Sequence, residues 1–336
     1  MRLALCLALL CLTACQPAER TTAATTPPMD VQILDEKIGD IAERAQPGLI
    51  DVGVLNIDGG ESWAFNAEHR FPLQSVFKAP LGAAVLAEVD AGRLSLDETI
   101  VIAEKDLSPP YSPLADAWPG RDAYTVRELL VLAVGGSDNT AADVLMRRIG
   151  GPGVVQAWLD KNKIRELRID RYERELQTDV AGLISFRPQW KGEAAFAAAI
   201  AAVPEPQRRA ALEAYLRDPQ DTATVSGALT FLQKLATGQL VTTPSRDLLL
   251  RIMTETTTGQ GRLKAGLPEG ARLAHKTGTA RTTLGVNPAT NDIGVITLKD
   301  GRRYAVAVFL KASPAPAEER DAIIADVARA VVEAAG

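Results

Sequence analysis

The sequence predicts two structural units: an α/β domain made from both ends of the chain, residues 30–68 and 254–336, and an all-helical domain, residues 69–253, inserted between them. Three observations carry this. Strand-like alternation is confined to residues 48–66 and 272–310, helical periodicity fills most of 69–253, and an amphipathic helical run stands at each end of the folded part. A helix and hairpin early, with three strands and a helix late, make one five-stranded antiparallel sheet flanked by the terminal helices.

Taken in order, the chain begins with Arg2 and a short apolar run ending at Cys15, which reads as an export signal over residues 1–14 and takes no part in the fold. Leu12-Thr-Ala-Cys15 resembles a bacterial lipobox, so Cys15 is expected to be the lipidated first residue of a periplasmic, membrane-anchored lipoprotein. The other two cysteines, Cys6 and Cys11, precede it, which leaves the folded part without a disulfide or a thiolate metal site. Residues 15–29, rich in Thr, Ala and Pro, have linker composition. Val31, Leu34, Ile38 and Ile41 then make a helical stripe. Ile50 to Ile57 is strand-like, Asp58-Gly59-Gly60 supplies turn chemistry, and Trp63 and Phe65 alternate on the return. Helices follow at 81–89, 126–134, 140–149, 154–162 and 226–237. Strands are predicted at 272–279, 292–298 and 303–310, and Ile323, Ile324, Val327, Val331 and Val332 line one side of a closing helix, 317–334.

Composition narrows the function. At 336 residues, 46% hydrophobic and 24% charged, the chain is an ordinary globular protein with a sizeable core. A net charge of -5 offers no basic stripe for nucleic acid. No internal repeat is visible, and Gly150-Gly151-Pro152 is a helix stop without the spacing of a phosphate loop.

Three short motifs bear chemistry. Ser75-Val-Phe-Lys78 places a hydroxyl and an amine three residues apart, hence on one face of a helix whose first turn has free N–H groups for a developing oxyanion. Ser137-Asp-Asn139 precedes a helix and reads by itself as a cap. His275-Lys276-Thr277-Gly278-Thr279 lies on a strand, where a lone edge lysine is the ordinary reading. In this order, S-x-x-K, S-D-N and K-T-G resemble the signature of class A β-lactamases and penicillin-binding proteins. Tyr111-Ser-Pro, Thr125-Val-Arg-Glu-Leu, Ile149-Gly-Gly-Pro and Leu267-Pro-Glu-Gly extend the likeness to class A, and Thr256-Thr-Thr-Gly with the 289–298 stretch looks like its PER-like branch.

The resemblance implies a two-domain serine β-lactamase fold and hydrolysis of β-lactam antibiotics by a monomer without cofactor or metal. It makes Ser75 the nucleophile and Lys78 a base. Ser137 and Lys276 become the proton path to the departing nitrogen, with Asn139, Tyr111 and the backbone around Gly278 and Thr279 on the substrate. Arg171-Tyr-Glu173-Arg-Glu-Leu-Gln177 is similar to the class A loop R-x-E-x-x-L-N, whose Glu directs water onto the acyl-enzyme and which penicillin-binding peptidases lack. Glu173 takes that role. Gln177 stands for the usual Asn, and Arg174 for a Pro that often follows the Glu through a cis bond. Without proline a cis bond costs about 3 to 4 kcal/mol, so a trans bond and a rearranged loop are expected. The loop, 171–221, has roughly 30 residues more than is usual and should carry structure. Ala-rich helical runs occupy 192–203 and 206–216, either as surface padding or as a lid. Arg262 matches the arginine that some class A enzymes use for the substrate carboxylate, with Thr277 and Thr279 beside it.

Only His69 and His275 exist, so neither a Ser-His-Asp triad nor a His-rich zinc site is indicated. Two rival readings share the motifs: a D-alanyl-D-alanine peptidase or esterase of the same fold, and a non-catalytic penicillin-binding sensor lipoprotein. The first would be trapped by penicillin after one turnover; the second would not react at all.

Overall fold

The computed structural model describes residues 28–336; the signal, Cys15 and most of the linker lie outside the described residues. The strands in chain order are β1 Leu49–Asn56, β2 Ser62–Phe65, β3 Phe71–Pro72, β4 Thr99–Val101, β5 Ala123–Thr125, β6 Thr222–Ala223, β7 Arg272–Thr279, β8 Asn287–Thr297 and β9 Arg303–Ser313. The helices are α1 Val31–Ala45, α2 Lys78–Asp90, α3 Pro113–Ala117, α4 Val126–Leu130, α5 Asn139–Arg148, α6 Pro152–Lys161, α7 Glu173–Ala181, α8 Glu193–Ala201, α9 Glu205–Arg217, α10 Val225–Ala236, α11 Thr243–Thr254 and α12 Ala317–Ala335. None is long and apolar enough to cross a membrane.

The five-stranded sheet runs β2-β1-β9-β8-β7, antiparallel throughout, so β1 pairs with β9 across most of the chain. Alternation divides each strand between two cores. On β9, Tyr304, Val306, Val308 and Leu310 face α1 and α12, while Ala305, Ala307 and Phe309 face the helical domain. Small residues on that second face let α10 come close: a Cβ on Gly53 of β1 would lie 2.9 Å from the Leu229 side chain. The second core continues into α2, α4, α5, α10 and α11.

The structure corrects several predicted elements. The inserted region is not purely helical, because β3 pairs with β6 and β4 with β5. β8 starts at Asn287, five residues before the predicted Asp292. Its first residues include buried polar side chains whose amides donate inward, Asn287 to Ala280 O at 2.7 Å and Asn291 to Pro72 O at 2.8 Å, so no apolar alternation marks them. The helix predicted over 126–134 ends at Leu130 and passes through one π turn, Val131–Gly135. α5 begins at Asn139, one residue before the expected start, with Asp138 accepting from Ala141 N as N-cap. α7 and α11 had no predicted counterpart. Within the enlarged loop, α8 packs through Phe196 and Ile200 on Ala181 of α7, and Tyr215 of α9 packs on Leu176 and Val180 of α7.

Candidate active site

Ser75 sits in a 3-10 turn, Gln74–Phe77, that runs directly into α2. Gln74, just before it, adopts φ 46°, a left-handed conformation that a residue with a side chain holds only under tertiary constraint. Part of that constraint is β7, which lies so close that a Cβ on Gly278 would come within 2.3 Å of Leu73 O. Glycine is therefore required in the K-T-G motif by sterics alone.

Lys78, one helical turn after Ser75, is fully buried. Its amine donates to Ser75 Oγ at 2.9 Å, Ser137 O at 2.8 Å and Asn139 Oδ1 at 2.5 Å, and lies 2.9 Å from Glu173 Oε1. Ser75 Oγ is itself 3.2 Å from Glu173 Oε1, so the hydroxyl stands between an amine and a carboxylate. Ser137, at φ 60°, follows the π turn, and its hydroxyl accepts from Lys276 Nζ at 3.0 Å. Lys276 is on the edge strand yet has no exposed surface, which rules out the ordinary edge-lysine reading. Burial first, then the neighbouring Lys78 charge, push its amine well below the usual lysine range.

Glu173 opens α7 and is also fully buried, far from the surface decoration an isolated carboxylate would be. Sequence reasoning missed the residue that anchors it. Asp143, one turn beyond Asn139 on α5, accepts from Glu173 N at 2.7 Å and Arg174 N at 3.1 Å, and from Ser108 Oγ at 2.6 Å. Burial, reinforced by the Glu173 charge, pushes Asp143 up to about 6. The available signal was the acidic residue four positions after Asn139, on the helix face that must point inward. The Glu173–Arg174 peptide is trans, as expected without proline, and the Arg174 guanidinium reaches Lys105 O at 2.7 Å and Leu107 O at 2.6 Å. At the loop's base Arg171 Nε meets Asp221 Oδ2 at 2.6 Å. Gln177 donates to Glu173 Oε2 at 3.0 Å and to Gln74 Oε1 at 3.1 Å.

Beside these groups lies a cavity of about 560 Å³ whose lining includes Ser75, Tyr111, Ser137, Asn139, Gln177, Arg262, Thr277 and Thr279. Arg262 is 6% exposed rather than solvent-facing. It donates to Thr279 Oγ1 at 2.7 Å and Asn291 O at 2.9 Å and is held by Asp321 at 2.7 Å. The Thr277 hydroxyl instead meets Thr258 Oγ1 at 2.8 Å, and Tyr111, half exposed, stands at the rim. Two residues unforeseen as site members, Glu193 of α8 and Arg281, pair across the mouth. The histidines are elsewhere: His275 pairs with Asp292 at 2.9 Å and His69 with Asp51 at 3.1 Å, and neither bonds to Ser75.

Comparison with known proteins agrees with this arrangement. The description of the β-lactamase enzyme family matches residues 33–335. The extended-spectrum β-lactamase PER-1 of Pseudomonas aeruginosa is 33% identical over 310 residues, 92% of this chain and 87% of that protein. β-Lactamase VEB-1 of the same organism is 32% identical over 287 residues, 85% of each chain. Among solved structures, a β-lactamase from Chitinophaga pinensis superposes with a TM-score of 0.75 at 32% identity, covering 90% of this chain and 99% of that one. The class A β-lactamase of the last common ancestor of Gram-negative bacteria gives 0.73 at 35% identity, covering 90% and 98%. These matches run through the sheet, the helical domain and the motifs, and the chain therefore belongs to the β-lactamase enzyme family, in its class A.

Proposed function

We propose that this protein hydrolyses the lactam amide of β-lactam antibiotics through an acyl-enzyme on Ser75, which water directed by Glu173 then releases. The observation that carries the reading is the position of Ser75 Oγ, 2.9 Å from Lys78 Nζ and 3.2 Å from Glu173 Oε1. In the first step Ser75 Oγ bonds to the carbonyl carbon, and its proton passes to Lys78, or to Glu173 through water. Backbone N–H groups of Ser75 and Thr279 receive the oxyanion, beside Gly278. The C–N bond then breaks, and Ser137 delivers the proton to nitrogen. Lys276, whose lowered affinity for protons suits exchange with a hydroxyl 3.0 Å away, returns one to Ser137, and the proton taken from Ser75 makes good that loss. In the second step Glu173 takes a proton from water as the oxygen attacks the ester, and Ser75 leaves with a proton returned.

Asn139 and Tyr111 would contact the substrate's side chain, Gln177 the water, and Arg262 with Thr277 and Thr279 its carboxylate. Residues 30–68 with 254–336, and 69–253, form the two domains of this reading. Export to the periplasm, a lipid anchor on Cys15 and a monomeric state belong to it as well, on the strength of the N-terminal sequence and family.

Glu173 favours this reading over a peptidase of the same fold, because a carboxylate beside the acylated serine is what frees the enzyme. A chromogenic cephalosporin is expected to turn over many times. Glu173→Ala is expected to acylate and then stall, with the adduct visible by mass spectrometry; hydrolysis at the parent rate would remove Glu173 from the mechanism.

A further inference from the structure

The added helices reach the chemistry itself. Tyr215 of α9 is 4% exposed, and its phenol oxygen accepts a hydrogen bond from Gln74 Nε2 at 2.5 Å. Gln74, equally buried and adjacent to the nucleophile, accepts through its carbonyl from Gln177 Nε2 at 3.1 Å. The same Gln177 nitrogen donates to Glu173 Oε2 at 3.0 Å. Each amide has one donor end and one acceptor end, so the order of the chain is determined. The Glu173 carboxylate accepts only; Gln177 must turn its nitrogen toward it, Gln74 must offer its carbonyl to that nitrogen, and the Gln74 nitrogen is left needing an acceptor away from water. Tyr215 supplies that acceptor. With its nitrogen committed, Gln177 keeps a carbonyl for the cavity it lines.

We propose that Tyr215 is a positioning residue for deacylation: by closing the relay through Gln74 and Gln177, it holds the Glu173 carboxylate and leaves the Gln177 carbonyl to accept from the attacking water. The proposal rests on the reading of Glu173 given above. Lys78 is held from the other side, by Ser137 O and Asn139, so formation of the acyl-enzyme depends less on the relay.

Tyr215→Phe keeps the ring against Leu176 and Val180 and removes only the oxygen. With a chromogenic cephalosporin in stopped flow, its deacylation is expected to slow about tenfold, the scale of one lost buried hydrogen bond, with kcat and KM falling together. The acyl-enzyme should accumulate in quenched mass spectra, and Tyr215→Phe added to Gln177→Leu should slow deacylation no further than Gln177→Leu alone. Parent-rate deacylation in Tyr215→Phe, or a full additive loss in the double variant, overturns the proposal. Gln74→Met, which opens the relay without touching the loop's packing, is expected to slow the same step, and a parent-like rate there overturns it too. Glu173→Ala separates the two failures. If it stalls while Tyr215→Phe behaves as the parent, only the relay falls; if it does not stall, the reading of Glu173 falls and the relay with it.

Discussion

A guanidinium that already has three partners would make a rigid anion site. Arg262 is held by Asp321, Asn291 O and Thr279, and it still lines the cavity. Its planar fork cannot swing away when substrate leaves, so little ordering is needed when the next one binds. Arg262→Ala is expected to raise KM for penicillins and cephalosporins about tenfold to a hundredfold while kcat changes less, as lost uniform binding does. An unchanged KM across substrates would assign the carboxylate to another group. At this scale the motif residues were legible because side-chain chemistry and order along the chain name them. Gln74, Asp143 and Tyr215 were not. Each acts through a tertiary contact, with its partner 103, 30 or 141 residues away, and nothing local marks such a pairing.

Among the elements, the strand over 272–279 matched its predicted bounds, although it is buried nearly throughout and carries mainly polar groups rather than an apolar alternation. α7 escaped because its sequence, Glu173–Ala181, is charged and short, and its stability comes from Asp143 at the N-terminus and α9 along its side. The pairing of Glu193 with Arg281 brings α8 to the rim of the cavity and favours a lid over surface padding. Glu193 is largely exposed and Arg281 about a third, so the pair contributes about 0–1 kcal/mol to stability and acts chiefly on shape and charge at the mouth. Glu193→Ala should therefore melt as the parent does while changing KM several-fold for bulky cephalosporins, measured by steady-state kinetics. Identical KM values for all substrates would return α8 to a structural role.

The whole molecule carries a buried charge where its two halves meet. Asp51 of β1 has no exposed surface and faces His69 at 3.1 Å, with Lys311 of β9 nearby; Lys311 in turn donates to Arg70 O at 2.8 Å. Burial pushes Asp51 up from 3.8 to about 6, opposed by His69 and Lys311. The folded protein thus holds this proton more tightly than the unfolded chain does. The stability involved is complete below pH 3.8 and is lost as pH rises through about 6. Asp51→Asn is expected to raise stability at pH 7.5 by up to about 3 kcal/mol and to flatten its dependence between pH 4 and 6.5, read from thermal melts. A melting temperature unchanged at pH 7.5 would show the carboxylate to be compensated in place.

The register of the sheet has a further consequence. Leu49 is paired with Lys311 and Asn56 with Tyr304, so the second structured segment made by the ribosome must wait for nearly the last before its ladder can close. Until then β1 offers only its β2 side a partner and leaves the other edge open to neighbouring nascent chains. A chain cut short before residue 303 would lack β9 altogether, and its intact Ser75 turn would belong to a molecule bound for aggregation.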